Sequence, residues 1–417
     1  MVPHGLFAHA GIGPLKRGPD GRSVVDLQCG NGALLLGHRH SAVLDAARAA
    51  IEDGLNFSAG SEAEVCWAEA VQRLMPAAEQ VRFTASGNEA CALAIAVMRA
   101  VTGRGAVLVL RDHYFGWVAP ALLPKLPAHQ MLDGPARADA PITLVEAETA
   151  PEALEVLESG RVGGVIFEPT GGSFGRIPLA AEDARALNAA ARRNGALCIL
   201  DETITGFRAA PGGAQQLLGL TADLFVLGKV LSGGLPGGAL AGRRELMRAL
   251  DNRPGETGGA KVAHMGTGNG NPVVAAVGVA TLAAVADGAA IARANHAAAR
   301  LRSGLNALFR ERAAGWAAYG EHSGLHLFLN PRGRALDAAA FDPADCAPDE
   351  LRARSAGLVN DLRVGLLAHG LDINAWPGGL LSAAHDDDTV DRATAAFAAA
   401  LDDLKRSGRA LSGWGRA

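Results

Sequence analysis

The hydrophobic positions of the chain fall into two kinds of pattern. Ala106–Leu110, 162–167, 197–200 and 224–227 are short, nearly unbroken apolar runs bounded by turn residues. Such runs suit strands buried on both faces. Residues 81–85 read as a further strand, and the polar turn at Ser86 leads into a helix ending near Val101, with Gly103 just past it. A second helix is expected over 181–194, stopped by Gly195. Alternating strands and helices imply an α/β fold with a mainly parallel sheet covered on both sides. Before this region, Pro19 to Gly21 signal a turn, 24–27 suggest an edge strand, and Ser41–Asp53 reads as a helix ended by Gly54. Residues 120–158 show no regular pattern.

Beyond the sheet region, Asn271-Pro272 should open a helix to about Ala286, and Gly288 another to about Phe309. Leu325, Leu327 and Leu329 alternate as on one face of a strand. Residues 371–373 and 380–383 are short strand candidates, and Asp388-Thr389 begins a last amphipathic helix toward Lys405. The 417 residues suit two domains rather than one core. The expected division is an N-terminal segment, 1–52, joining a small α+β domain at 289–417, with a large domain at 53–288 between them.

The net charge of −4 and charged fraction of 20%, without blocks of like charge, argue against nucleic acid or an anionic membrane as partner. The apolar share of 49% never forms a membrane-spanning run. The start, M-V-P-H-G-L-F-A-H-A, lacks the basic and apolar regions of a signal peptide, so a cytoplasmic location is expected. Cys29, Cys66, Cys91, Cys198 and Cys346 are odd in number and scattered, which fits reduced thiols. No Cys/His spacing suits zinc, His38 and His40 read as turn residues, and no metal is expected.

Two apolar runs end in ionisable residues, Asp201 and, after Gly228, Lys229. They lie 28 residues apart and should meet at the carboxyl edge of the sheet, where open α/β sheets bind ligands. An ammonium and a carboxylate so placed suit pyridoxal 5'-phosphate: the Lys229 amine forms a Schiff base, and Asp201 keeps the pyridine nitrogen protonated so that the ring draws electrons. Ser86, Gly87 and Asn88 turn a strand into a helix, a layout whose free N–H groups bind phosphate.

The wording of these segments is specific. D-E-T-I-T-G-F-R from Asp201, G-G-A-Q from Gly212 and L-G-K-V-L-S-G-G-L-P-G-G-A from Leu227 together resemble the class III aminotransferases, and among them the glutamate-1-semialdehyde aminomutase branch. The likeness runs from about Gly21 to the last helix. It implies a fold type I PLP-dependent transferase (aspartate aminotransferase-like), with a mainly parallel sheet of the seven-stranded type and a smaller α+β domain. It also implies cofactor contacts from Ser86, Gly87, Asn88, Tyr114, Asp201, Thr203, Lys229 and Thr267. Asn88 stands where the family has Thr, and Phe115 replaces a His after the stacking aromatic, Tyr114. Thr267 would reach the cofactor phosphate of a second subunit, making a homodimer with shared sites. Glu168, in the family's V-E-P position, could join the site or merely cap a turn. The Gly-rich C-G-N-G stretch at Cys29 to Gly32 corresponds to a region that helps to hold substrate.

The substrate positions match less well. The family's Ser-Trp pair is replaced by Gly30 and Asn31, Pro377 takes the place of an acidic residue, and little chain precedes Gly13 to form the family's Arg-bearing arm. Arg22, Arg39 and Arg208 are possible substitutes. The expected activity is therefore amino transfer from an amine or amino acid to a separate carbonyl acceptor, through a Lys229 Schiff base and a pyridoxamine intermediate. The alternatives are the aminomutase's intramolecular amino shift, a racemase or decarboxylase on the same fold, and a cofactor-binding protein without turnover.

Overall fold

A computed structural model describes residues 6–117, 121, 123–133, 142–251 and 261–414. The chain divides into two compact units, one of Met1–Ser41, Gly175–Ile177 and Asp287–Ala417, the other of Ala42–Phe174 and Pro178–Ala286. The Ser41–Asp53 helix thus belongs almost wholly to the second unit, and the three residues from Gly175 belong to the first.

The second unit is built on an eight-stranded sheet. Its order is Gln80–Thr84, Gly238–Gly242, Leu224–Gly228, Leu197–Asp201, Gly164–Phe167, Ala106–Leu110, Thr143–Ala147 and Lys125–Pro127. All neighbours pair parallel except Gly238–Gly242, which runs against both of its own. The mainly parallel α/β sheet is as expected, but it has one strand more than the seven-stranded type. The edge strand Lys125–Pro127 and its neighbour Thr143–Ala147 lie in the stretch where no pattern was visible. Gly238–Gly242, G-A-L-A-G, has no β-branched or aromatic residue to mark it. Its glycine is needed for contact, because a Cβ on Gly238 would stand 2.4 Å from the Ser86 carbonyl carbon.

Every residue of Ala106–Leu110, Leu197–Asp201 and Leu224–Gly228 is buried, which explains their continuous apolar runs. The helix Gly87–Thr102 covers the sheet with Cys91, Leu93, Ala94, Ile95, Val97 and Met98, and ends at Gly103 in the left-handed region, φ 68°. Each large apolar side chain so buried contributes about 1.5–3 kcal/mol. On the other side, Trp67 stacks on Phe83 with ring centroids 3.9 Å apart and donates from its indole to Leu231 O at 3.0 Å. Gly278 allows the helix Pro272–Val285 to lie against that indole, since a Cβ there would be 2.1 Å from Nε1.

The first unit holds a four-stranded sheet, Ala10–Ile12, Leu15–Arg17, Ser23–Asp26 and Leu371–Asp372, and a three-stranded one, Ala317–Tyr319, Gly324–Phe328 and Gly378–Leu380. Helices Ala289–Glu311, Ala356–Ala368 and Asp387–Arg406 pack around a shared core that includes Leu301, Leu305, Leu362 and Phe397. Ser23–Asp26 is an interior strand, not the expected edge, because Leu371–Asp372 arrives from far along the chain to pair with it. The Leu325/Leu327 alternation does not separate core from solvent either: all of Gly324–Phe328, His326 included, is buried.

A buried ionic cluster joins these strands. Lys16 Nζ lies 2.8 Å from Asp26 and 2.7 Å from Asp372, and His38 Nε2 lies 2.8 Å from Asp26. Burial alone would raise the Asp26 carboxyl; the hydrogen bond from His38 and the charge of Lys16 outweigh it and hold the group at about 2. Burial opposes the charge on Lys16, yet the two aspartates keep its ammonium above the usual lysine value.

Because the Asp26 value is depressed by folding, its contribution, on the order of 2 kcal/mol, is complete above the ordinary carboxylate range and lost as pH falls through about 2. Denaturant midpoints measured from pH 5 to pH 2 should therefore fall more steeply for the native chain than for Asp26→Asn. That variant should start lower by about 3–5 kcal/mol, since it leaves Lys16 buried without its full counter-charge. Parallel pH slopes would count against the cluster.

Candidate active site

Asp201 and Lys229 end adjacent parallel strands, with Asp201 registered against Val226, three residues before Lys229. Asp201 is 3% exposed, accepts a hydrogen bond from Thr203 N at 2.9 Å on Oδ1, and receives the Cys91 thiol on Oδ2 at 3.5 Å. Burial raises its carboxyl, against the pull of Thr203 and the Lys229 charge. Lys229 is half-buried. Desolvation pushes its amine below the usual lysine value, while Asp201 and Glu168 resist and the Arg208 guanidinium adds to the drop. Lys229 has φ 50°, in the left-handed region that costs a side-chain-bearing residue roughly 1 kcal/mol or more. It opens a short 3₁₀ turn, Lys229–Ser232, directly after Gly228.

Beside this pair lies the amino end of the helix Gly87–Thr102. Ser86 caps it, its Oγ accepting from Glu89 N at 3.2 Å, so the hydroxyl retains its own proton to donate. Glycines crowd the turn. A Cβ on Gly87 would meet Thr203 Cγ2 at 3.1 Å, and one on Gly228 would meet the same carbon at 3.2 Å. The Thr203 hydroxyl is buried, favours the charged form of Asp201, and makes no hydrogen bond of regular geometry. The helix end and the glycine-lined floor form a cradle suited to an anion at the foot of the Asp201 and Lys229 strands.

Tyr114 lies in the loop after Ala106–Leu110, and its side chain is 58% exposed. Its backbone N donates to Glu168 Oε1 at 2.9 Å. Glu168 is buried and also accepts from Ser173 N at 2.9 Å and Phe174 N at 3.2 Å. Burial raises its carboxyl to about 7, with Asp201 adding and the three amides opposing. Glu168 is thus part of the same charged cluster rather than only a turn cap. Burial pushes the His113 imidazole down to about 3, so the ring is neutral. Its Nδ1 accepts from Glu168 N at 2.9 Å, which puts the ring proton on Nε2. Asn88 Oδ1 is engaged by Trp117 N at 2.7 Å.

Thr267 is exposed within the single chain, and its carbonyl accepts from Asn56 Nδ2 at 2.9 Å. Gly268 approaches Ala85, with a Cβ there 3.7 Å from the alanine methyl, so the loop runs beside the Ser86 turn. Of the other arginines considered, Arg208 is fully buried, within electrostatic reach of Lys229. Arg22 is exposed and pairs with Asp20, and Arg39 lies with Arg22 in the first unit. Sequence reasoning missed Cys91, which its apolar setting disguised as core, and Glu202. Glu202 takes Thr205 Oγ1, Ala214 N at 2.9 Å and Gln215 N at 2.7 Å, tying the D-E-T-I-T turn to the G-G-A-Q segment.

A profile of the family described as Aminotransferase class-III matches residues 4–314. The chain belongs to this family. Its relatives include a protein named glutamate-1-semialdehyde 2,1-aminomutase from Thermomicrobium roseum, 36% identical over 416 residues, covering 96% of this chain and 92% of that one. Among solved structures it is similar to a transaminase with PLP bound, TM-score 0.82 and 26% identity, covering 98% of this chain and 93% of that one. It is also similar to an omega-transaminase from Sphaerobacter thermophilus, TM-score 0.83 and 27% identity, covering 97% and 92%. Class-III aminotransferases of this fold type I group are pyridoxal-phosphate enzymes, so this chain is a PLP-dependent transaminase or aminomutase. The residues present fit that cofactor: an amine with depressed basicity, a buried carboxylate, and a helix amino end lined by glycines whose Cβ atoms would fill the space. No single helix among the described residues is long and apolar enough to cross a membrane.

The lowered basicity of Lys229 can be read chemically in the cofactor-free protein. Acetic anhydride should acylate Lys229 at a lower pH than the exposed Lys125 and Lys261, as followed by peptide mass spectrometry. Asp201→Asn removes a charge that raises the Lys229 value, so it should shift the labelling curve to still lower pH. A curve for Lys229 at or above those of the surface lysines would contradict the electrostatics.

Proposed function

We propose that this class-III aminotransferase moves an amino group within one small amino-carbonyl substrate, as an aminomutase of the glutamate-1-semialdehyde type. The observation that carries this reading is the 36% identity to such an aminomutase across 96% of the chain. It departs from the expectation of transfer between two molecules, which the sequence relatives support less well. When bound, the cofactor supplies an aldehyde for covalent attachment and a protonated ring that draws electrons from the substrate carbon.

The chain's residues do the rest. Lys229 anchors the aldehyde and, once displaced by the substrate amine, moves the proton at the reacting carbon. Its depressed basicity leaves a larger share of free amine near neutral pH. Asp201, buried and held by Thr203 N, would face the ring nitrogen, and the protonated nitrogen would offset the burial that raises its carboxyl. Ser86, Gly87, Asn88 and Thr203 hold the phosphate through the helix end and side-chain donors. Tyr114 would stack on the ring.

The functional unit in this reading is a homodimer. Met265 is 94% exposed, Leu55 63% and Phe57 47%, and the hydrogen bonds of Asn56 to Thr267 and of Asn271 to Leu55 gather these residues around the Thr267 loop. An apolar rim around an exposed threonine suits a loop that covers a second copy's phosphate cradle.

A second reading, transfer between separate molecules, is favoured by Gly30, Asn31 and Pro377 at substrate positions and by the transaminases at 26% and 27% identity. The two separate in one assay. Supplied with glutamate-1-semialdehyde, the holoenzyme should form 5-aminolevulinate faster than it moves nitrogen between any donor and acceptor in an amine and keto-acid panel. Faster transfer in the panel would reverse the choice. Lys229→Ala should abolish both activities and the borohydride-fixed cofactor peptide; a labelled peptide lacking Lys229 would refute its role. For the shared site, Lys229→Ala and Thr267→Trp chains, each inactive alone, should regain partial activity after verified subunit exchange, and continued inactivity would assign the loop to its own chain.

A further inference from the structure

The loop that carries Tyr114 has an unusual mode of support. Tyr114 is 58% exposed and Trp117 63%, so side-chain packing alone does not fix either. The loop also contains two left-handed residues, Asp112 at φ 70° and Gly116 at φ 88°. Phe115 between them is buried in the core with Cys91, and His113 Nδ1 accepts from Glu168 N at 2.9 Å. On either side of Phe115 the backbone amides of the two exposed residues are taken up by side chains from different elements. Glu168, after the strand Gly164–Phe167, accepts from Tyr114 N at 2.9 Å. Asn88, in the first turn of the helix Gly87–Thr102, accepts from Trp117 N at 2.7 Å.

Close approaches reinforce both points. A Cβ on Gly116 would stand 2.3 Å from Asn88 Oδ1, and one on Gly172 would stand 2.7 Å from Asp112 O. The Glu168 carboxylate that binds Tyr114 N also binds the amides of Ser173 and Phe174, which are left-handed at φ 55° and 61°. One buried carboxylate thereby holds two strained turns together. Charge-assisted bonds of this kind are stronger than neutral ones.

We propose that Asn88 and Glu168 are positioning residues, forming a two-point clamp that fixes the Asp112–Trp117 loop and so sets the Tyr114 ring over the cofactor site. The clamp gives a physical role to asparagine at a position where the resembled family carries threonine. An amide oxygen reaches one bond farther than a hydroxyl, and the same side chain still offers an N–H donor. The inference rests on the reading of Tyr114 as the ring-stacking residue, and its test separates the two claims.

Hydrogen exchange is measured on the cofactor-free protein, in the peptide spanning 112–117. Asn88→Ala and Glu168→Gln should each speed exchange there by about tenfold or more, with other sheet peptides unchanged. Asn88→Thr should also speed it, since the hydroxyl falls short of Trp117 N. Cofactor titration of Glu168→Gln, whose side chain takes no part in holding the phosphate, should show a dissociation constant raised about tenfold and an altered visible circular dichroism band. The double variant should be little worse than the poorer single one, because one lost point already frees the loop. Native exchange rates in both Asn88→Ala and Asn88→Thr would overturn the clamp, even if Glu168→Gln failed to fold. Faster exchange with native cofactor affinity and native dichroism would overturn its service to the cofactor. Tyr114→Ala tests the underlying reading alone: unchanged affinity and dichroism there would remove the stacking role while leaving the exchange result intact.

Discussion

The constraint on which this molecule turns is the removal of opposite charges from water at one edge of a parallel sheet. An isolated buried ion costs several kcal/mol even after relaxation, and neither Asp201 nor Lys229 could persist alone at its strand end. They persist because parallel register brings the two ends together, and because a backbone amide and a thiol bond the Asp201 carboxylate. The balance stays uneven, with desolvation still pulling the lysine toward its free base and the aspartate toward its acid. That imbalance is chemically useful. An amine that is partly neutral can attack and carry a proton, whereas a fully solvated ammonium of ordinary basicity rarely does so at neutral pH.

Close backbone approach is the second theme. The turn at Ser86, the end of the strand before Lys229 and the antiparallel strand Gly238–Gly242 meet within one layer of atoms. Glycine at 87, 228 and 238 is what lets three chain segments meet there. Thr203 fills the remaining space with its methyl and leaves its hydroxyl without a regular partner.

Much of this was legible in the sequence because the signals were local. Continuous apolar runs at 106–110, 197–200 and 224–227 announced central strands, and the ionisable residue closing a run announced the site. The failures have a common cause. Gly238–Gly242 went unread as a strand because close packing selects small residues rather than strand formers. Ser23–Asp26 looked like an edge because its partner lies more than 340 residues away. Cys91 looked like core because a thiol serves equally as small apolar filling and as a weak donor to a carboxylate. Glu168 was ambiguous for the same reason: its three amide partners belong to two separate turns, and no spacing along the chain reveals that they converge.

The left-handed backbone at Lys229 carries a consequence for the chain as a whole. Glycine or asparagine would occupy that conformation at lower cost, and neither would bring a cation out of water. By the standard of folding alone, then, lysine is a poor choice at this position, and its replacement would leave a firmer and chemically inert protein. Stability and reactivity make opposite demands on a single residue here. The fold holds a left-handed, desolvated lysine beside the buried Asp201 all the same.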